Sequence, residues 1–153
     1  MSGCIVGWAH GKFGKREGLD LEALIAEVAV QALADANVAP AEVDEIYVGH
    51  FGGGFVKQDF PASLVFQAAE ALRFKPSTRV ENACATGSAA VQLGLMSLAA
   101  RKSRVEPKFE SAIRRTLGST RRVVALSSKF ALITMLAPAT CSGCRISPAL
   151  THR

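Results

Sequence analysis

The chain has 153 residues, about one domain's worth and enough to bury a core, and its 49% apolar and 20% charged residues exclude a disordered chain. Four cysteines, at positions 4, 84, 141 and 144, are too few and too unevenly spaced for a disulfide scaffold. The net charge of +5 belongs to the C-terminal third, since residues 1–100 carry −4, residues 101–122 carry +6 and residues 123–153 carry +3.

The N-terminus shows neither the basic nor the apolar region of a secretory leader. Cys4 to Trp8 is a short apolar run followed by the turn-rich His10 to Gly14, which predicts a buried strand. Leu21, Leu24, Ile25, Val28, Ala32 and Ala36 then share one helical face, with Asp20 placed as N-cap and Asn37 before Pro40 as a stop. Glu45 to Gly49 reads as a second strand, running into the glycine-rich loop Gly49 to Gly54. That loop lacks the Gly-Lys-Ser/Thr of a phosphate-binding loop.

Pro61 suits the first turn of a helix from Asp59 to about Leu72. Thr78 to Glu81 is a third strand candidate, and the small-residue stretch after it opens a helix carrying Val91, Leu95 and Leu98 on one side. Alternating strands and helices predict an α/β layered fold with a mixed, mainly parallel sheet.

Beyond residue 100 the regularity decays. Residues 1–100 therefore read as one region and residues 101–153 as a basic, divergent tail that leaves the fold incomplete at its C-terminal end. Within the tail, Lys108 to Leu117 suggests a short basic helix, Arg122 to Ser127 a fourth strand, and Ala137 to Arg153 no period at all. The apolar stretch from Val123 to Ala139 is broken by Ser127, Ser128 and Lys129, so no membrane span is expected. The basic segment 101–122 has a single aromatic, Phe109, and nucleic-acid binding is not expected of it. A reducing, cytoplasmic setting fits this pattern.

Cys84 lies between a strand and a helix among Ala83, Ala85, Gly87, Ser88 and Ala89. Unpaired N–H groups and the positive end of the dipole at a helix start favour a thiolate. Small neighbours let a carbonyl approach, and backbone amides are suited to holding an oxyanion. A buried, inert cysteine filling a small space is the alternative on local chemistry alone.

The segment Val80 to Ala90, with its Asn82-Ala-Cys84-Ala-Thr-Gly87-Ser88 portion, resembles the nucleophilic-cysteine segment of thiolases, the acetyl-CoA acetyltransferase family, in particular the sterol-carrier-type branch. The resemblance extends through Phe60 to Ser63, Ile46 to His50 and Ile5 to His10, about two-thirds of the chain. It implies a thiolase-like fold and an acyltransferase in which Cys84 takes an acyl group from coenzyme A as a thioester. Gly87 would allow the tight turn, and Asn82 would shape it without reacting. The resemblance further implies an acyl-CoA substrate with no additional cofactor, and a homo-oligomer joined through Thr78 to Glu81. A ketoacyl-synthase-type condensing enzyme shares this logic over a shorter match.

Thiolases carry two similar halves, and the second supplies the histidine that activates the nucleophile and a further Cys-His pair. Those motifs are missing from this sequence, and His10, His50 and His152 match none of them. His10 and His50 read as loop or core residues. Cys141 and Cys144 form a single CxxC with only His152 nearby, so no metal site is expected. A truncated or frame-altered form with little or no turnover alone is therefore expected, with a non-catalytic fragment or basic interaction module as the alternative.

Overall fold

Both ends of the first helix are fixed by local chemistry. In the computed structural model, which describes residues 3–12, 14, 16–52, 57–103, 123–127 and 132–138, helix α1 spans Leu21–Asp35. The Asp20 carboxylate accepts the Ala23 N–H at 2.8 Å, satisfying a donor that has no partner inside the helix. Asn37, just past the end, takes a φ of 51°, a left-handed conformation that asparagine tolerates better than most residues. Ile25, Val28, Ala29, Ala32 and Leu33 are buried. The sequence spacing predicts Ile25, Val28 and Ala32 among them, whereas Leu21, Leu24 and Ala36 of the expected face are half-buried and Ala29 and Leu33 take their place.

Five strands form one sheet: β1 (Gly3–His10), β2 (Glu45–Gly49), β3 (Ser77–Val80), β4 (Val123–Ser127) and β5 (Leu132–Pro138), in the spatial order β1-β5-β4-β2-β3. Strand β2 pairs in parallel with β3 and β4, whereas β5 is antiparallel to both β4 and β1. Four strands thus run one way and β5 opposes them. This is the mixed, mainly parallel sheet expected from the sequence.

The period-2 alternation of β2 sorts the core into two layers. Ile46 and Val48 join α1 and the Pro61–Ala68 segment in one cluster of buried side chains. Tyr47 packs instead against the second cluster, Val80, Ala90 and Leu98, which belongs to helix α2 (Thr86–Ser103). Residues Ala83–Ala100 have the length and composition to cross a membrane, with a mean hydropathy of 1.3, and are 22% buried. In the fold this helix lies on the sheet through Ala90 and Leu98.

The structure corrects the sequence-based expectation at two places. Residues 59–72 do not form one α-helix but two 3₁₀ segments, Pro61–Ala68 and Glu70–Leu72, separated by the extended Ala69 at φ −163° and ψ 143°. Phe60 stands at the N-cap position and makes no capping bond with its side chain, so the α-helical start lacks the acceptor it needs. The second correction is β5. Its residues belong to an apolar run, for which periodicity alone does not separate strand from helix, and its pairing with β1 is non-local. The expected basic helix at 108–117, the CxxC at 141–144 and His152 lie outside the described residues.

At Gly7, β1 comes close to Ala36, the C-cap residue of α1. A Cβ built there would lie 2.5 Å from the Ala36 backbone nitrogen and 2.6 Å from its Cβ, beside the register shift between Ile5 and Gly7. The approach is held by the Trp8 N–H donating to the Asp35 carboxylate at 2.9 Å. Gly7→Ala is expected to destabilise the fold by about 1–3 kcal/mol through overpacking, read as a lower urea midpoint at unchanged slope. A midpoint equal to that of the parent chain would show that α1 can shift at no cost.

Candidate active site

Parallel strands place their carboxyl ends along one edge of the sheet, where α/β proteins build their sites. At that edge β3 ends at Val80, and Glu81 and Asn82 lead into a 3₁₀ turn, Ala83–Ala85, that opens α2. Cys84 is the middle residue of this turn and carries a free, exposed thiol. The expected site residues Asn82, Cys84 and Gly87 are therefore gathered in one six-residue stretch, with Gly87 half-buried in the first turn of α2.

The left-handed residue of this turn is Ala83, with a φ of 42°. For a residue with a Cβ this conformation costs about 1–2 kcal/mol. Asn82 before it is also in an uncommon region, at φ −154° and ψ 55°. The Ala85 N–H donates to the Asn82 carbonyl at 2.8 Å, and the Thr86 N–H donates to the Ala83 carbonyl. Thr86, which the sequence did not single out, is 5% exposed and bonds to the turn through its hydroxyl as well. The signal for it was present in the chain: a threonine at a helix start, where hydroxyls bond back to nearby backbone.

Beside the turn, Val80, Glu81 and Asn82 face Ala85, Ser88, Ala89, Gln92 and Leu93 of α2 across an open groove of about 570 Å³. His50, immediately after β2, is 7% exposed, and its N–H donates to the Val80 carbonyl at 3.0 Å. Burial lowers the His50 pKa below its usual value, the Arg79 guanidinium lowers it further, and Glu81 opposes them. Arg79 and Glu81 are themselves ion-paired. His10 lies on β1, at the far edge of the sheet from β3, next to the Trp8 ring. The structure thus brings His50 to the end of the sheet where Cys84 sits and keeps His10 away from it. Among the described residues, no three His, Cys, Asp or Glu side chains are grouped to hold a metal ion.

Residues 4–106 match the family model described as thiolase, N-terminal domain. Curated relatives include the acetyl-CoA acetyltransferases of Methanothermobacter thermautotrophicus, 38% identical over 96 residues, and of Methanocaldococcus jannaschii, 39% identical over 102 residues. These alignments take in 62% and 66% of this chain but 25% and 26% of the relatives, so the chain spans about a quarter of their length. Among solved structures, an acetyl-CoA acetyltransferase from Syntrophomonas wolfei superposes with a TM-score of 0.58 at 19% identity, over 83% of this chain and 29% of that one. A thiolase from Ascaris suum in complex with coenzyme A gives 0.58 at 17% identity, over 83% and 30%. The priming β-ketosynthase of the R1128 polyketide pathway gives 0.61 at 13% identity, over 92% and 51%. The shared fold therefore reaches beyond residue 106, into the strands of the C-terminal third.

The environment of His50 makes stability depend on pH. An unfolded histidine takes up a proton near pH 6.5, while the folded chain holds His50 neutral to a lower pH. Its contribution to stability is fully present above about 6.5 and is lost as pH falls through the lower, folded value. Thermal melts of the parent chain and of His50→Gln at pH 7.5 and 5.5 should show the parent losing more Tm on acidification. Parallel losses in the two proteins would mean that His50 protonates as readily folded as unfolded.

Proposed function

The chain belongs to the thiolase family through its N-terminal domain, and from that premise we propose that Cys84 is the nucleophile that takes an acyl group from an acyl-CoA. The observation that carries this reading is an exposed free thiol in a tight turn at the start of α2, inside the stretch that resembles the family's nucleophile segment. In the proposed step the Cys84 thiolate attacks the thioester carbonyl, forming a tetrahedral oxyanion. The carbon–sulfur bond to coenzyme A then breaks, leaving the acyl group on Sγ and releasing coenzyme A, whose thiolate takes up a proton from solvent. Small side chains at Ala83, Ala85 and Ala89 leave room for the approach. Of the neighbours, the Ascaris thiolase was solved with coenzyme A, and an acyl-CoA is the substrate class proposed here, with no additional cofactor.

Thiolase chemistry is favoured over ketosynthase chemistry because the sequence relatives at 38–39% identity are acetyl-CoA acetyltransferases, whereas the ketosynthase likeness, at 13%, is one of fold. Continued turnover needs a base for the nucleophile and a group to move a proton at the α-carbon. His10, His50 and His152 match no motif of the family that would serve. The proposed activity of this chain alone is therefore a slow acylation of Cys84 without sustained condensation or cleavage. Self-association is proposed through β3, an edge strand whose Thr78 and Arg79 are exposed. Phe60, Phe74 and Met96, each more than half exposed, add apolar surface that association would cover.

Incubation with acetyl-CoA and peptide mapping should find an acetyl group on Cys84 in the parent chain and none in Cys84→Ala. A coupled assay of acetoacetyl-CoA cleavage should show no multiple turnover. Robust Cys84-dependent turnover would mean that the chain holds a catalytic base outside the family pattern, and acetylation that persists in Cys84→Ala would remove the nucleophile assignment. In light scattering at micromolar concentration, oligomers are expected, and a stable monomer counts against association through β3.

A further inference from the structure

Two consecutive residues in uncommon conformations present Cys84, and neither has a side chain bonded so as to hold itself there. Asn82 makes no capping bond with its side chain, and Ala83 has only a methyl group, whose bulk opposes a φ of 42°. The turn is held from outside, and one side chain reaches both of its ends. The Thr86 hydroxyl accepts the Asn82 N–H at 2.8 Å and donates to the Ala83 carbonyl at 2.8 Å. The Thr86 N–H donates to that same carbonyl. These bonds close a ring around the rotatable bonds between Asn82 N and Ala83 C=O, so Ala83 cannot relax to a right-handed conformation without breaking them. Thr86 is 5% exposed, which leaves little water to replace a lost partner.

We propose that Thr86 is a positioning residue: its hydroxyl locks Ala83 in the left-handed conformation and so holds the Cys84 thiol at the exposed start of α2. The role in catalysis rests on Cys84 being the nucleophile. The clamp itself is a property of the turn. Held there, the thiol is presented to solvent in the turn that opens α2. A relaxed turn presents it in another direction.

The hydroxyl and the bulk of Thr86 can be separated, because valine keeps the volume and removes donor and acceptor, while serine keeps both. The rate of Cys84 alkylation by limiting iodoacetamide at pH 7, mapped by mass spectrometry on the full chain, is the readout, with circular dichroism to report folding. Thr86→Val is expected to slow alkylation by about fivefold to tenfold, and Thr86→Ser to stay within about twofold of the parent. Ala83→Gly placed in the Thr86→Val chain should return the rate, because glycine takes a positive φ without the steric cost. If Thr86→Val alone does not fold, the comparison moves to the double variant against Ala83→Gly. A folded double variant with an equal rate supports the clamp, and one that stays unfolded overturns it. Parent-like alkylation in Thr86→Val, or equal slowing in Thr86→Ser, also overturns it. Failure of the nucleophile assignment appears separately, as acetyl-CoA labelling that does not depend on Cys84.

Discussion

The sheet is one piece because β5 lies between β1 and β4. Among the described residues, β1 has no other strand partner, and its register from Gly3 to His10 is set entirely against Pro138 to Leu132. On its other side β5 pairs with β4 from Val123 to Ser127. Backbone groups of a buried strand must be paired, so without β5 the strand that carries α1 would be tied to β2 and β3 only through helical packing. A strand from the period-poor C-terminal third thus completes the hydrogen bonding of the very first strand.

From that frame the site follows by direction alone. Parallel pairing of β2 with β3, Ile46 to Gly49 against Ser77 to Val80, forces both strands to end at the same level. His50 and the Glu81–Asn82 pair are then neighbours whatever their side chains. Packing of Val80 against Ala90 and Leu98 sets α2 on the sheet and leaves only a short connection between strand and helix. A chain crossing so short a gap must turn sharply, and the left-handed Ala83 is where the turn is made. Strand order and helix packing thus demand a sharp turn at this point, and Cys84 stands exposed within it.

Much of this was legible in the sequence, for physical reasons that differ between elements. The Asp20 cap and strand Glu45–Gly49 are local signals that the structure reproduces, and the apolar spacing of α1 locates Ile25, Val28 and Ala32 of its buried face. The break at Ala69 was hidden because Pro61 gives a start signal that holds equally for α and 3₁₀ turns. Strand β5 was hidden because one of its two partners, β1, lies more than a hundred residues away in the chain. At the site, the motif drew attention to Asn82, Cys84 and Gly87, whereas Thr86, marked in the chain only by its place at a helix start, gains its role from the hydrogen bonds around the turn. A residue that acts on the backbone of its neighbours leaves little trace in a pattern of side-chain types.

The same openness that exposes Cys84 limits what the turn can do by itself. An acyl-thioester on an exposed sulfur is accessible to water, and the groove beside it is open, with the α2 face around Leu93 and Met96 exposed. Condensing chemistry requires that water be kept from the intermediate and that donors be fixed around the developing oxyanion. In the described residues the α2 face next to the nucleophile is uncovered and rich in small side chains, Ala85, Ser88 and Ala89, shapes that permit a close approach by another backbone. Among the described residues β3 is the last strand of the sheet at this side, and an edge strand is open to pairing. Surface that covers both would at once bury apolar area, pair the strand and dry the thiol. On the proposed reading, the step from a reactive cysteine to a working acyltransferase is therefore a matter of enclosure as much as of a missing base.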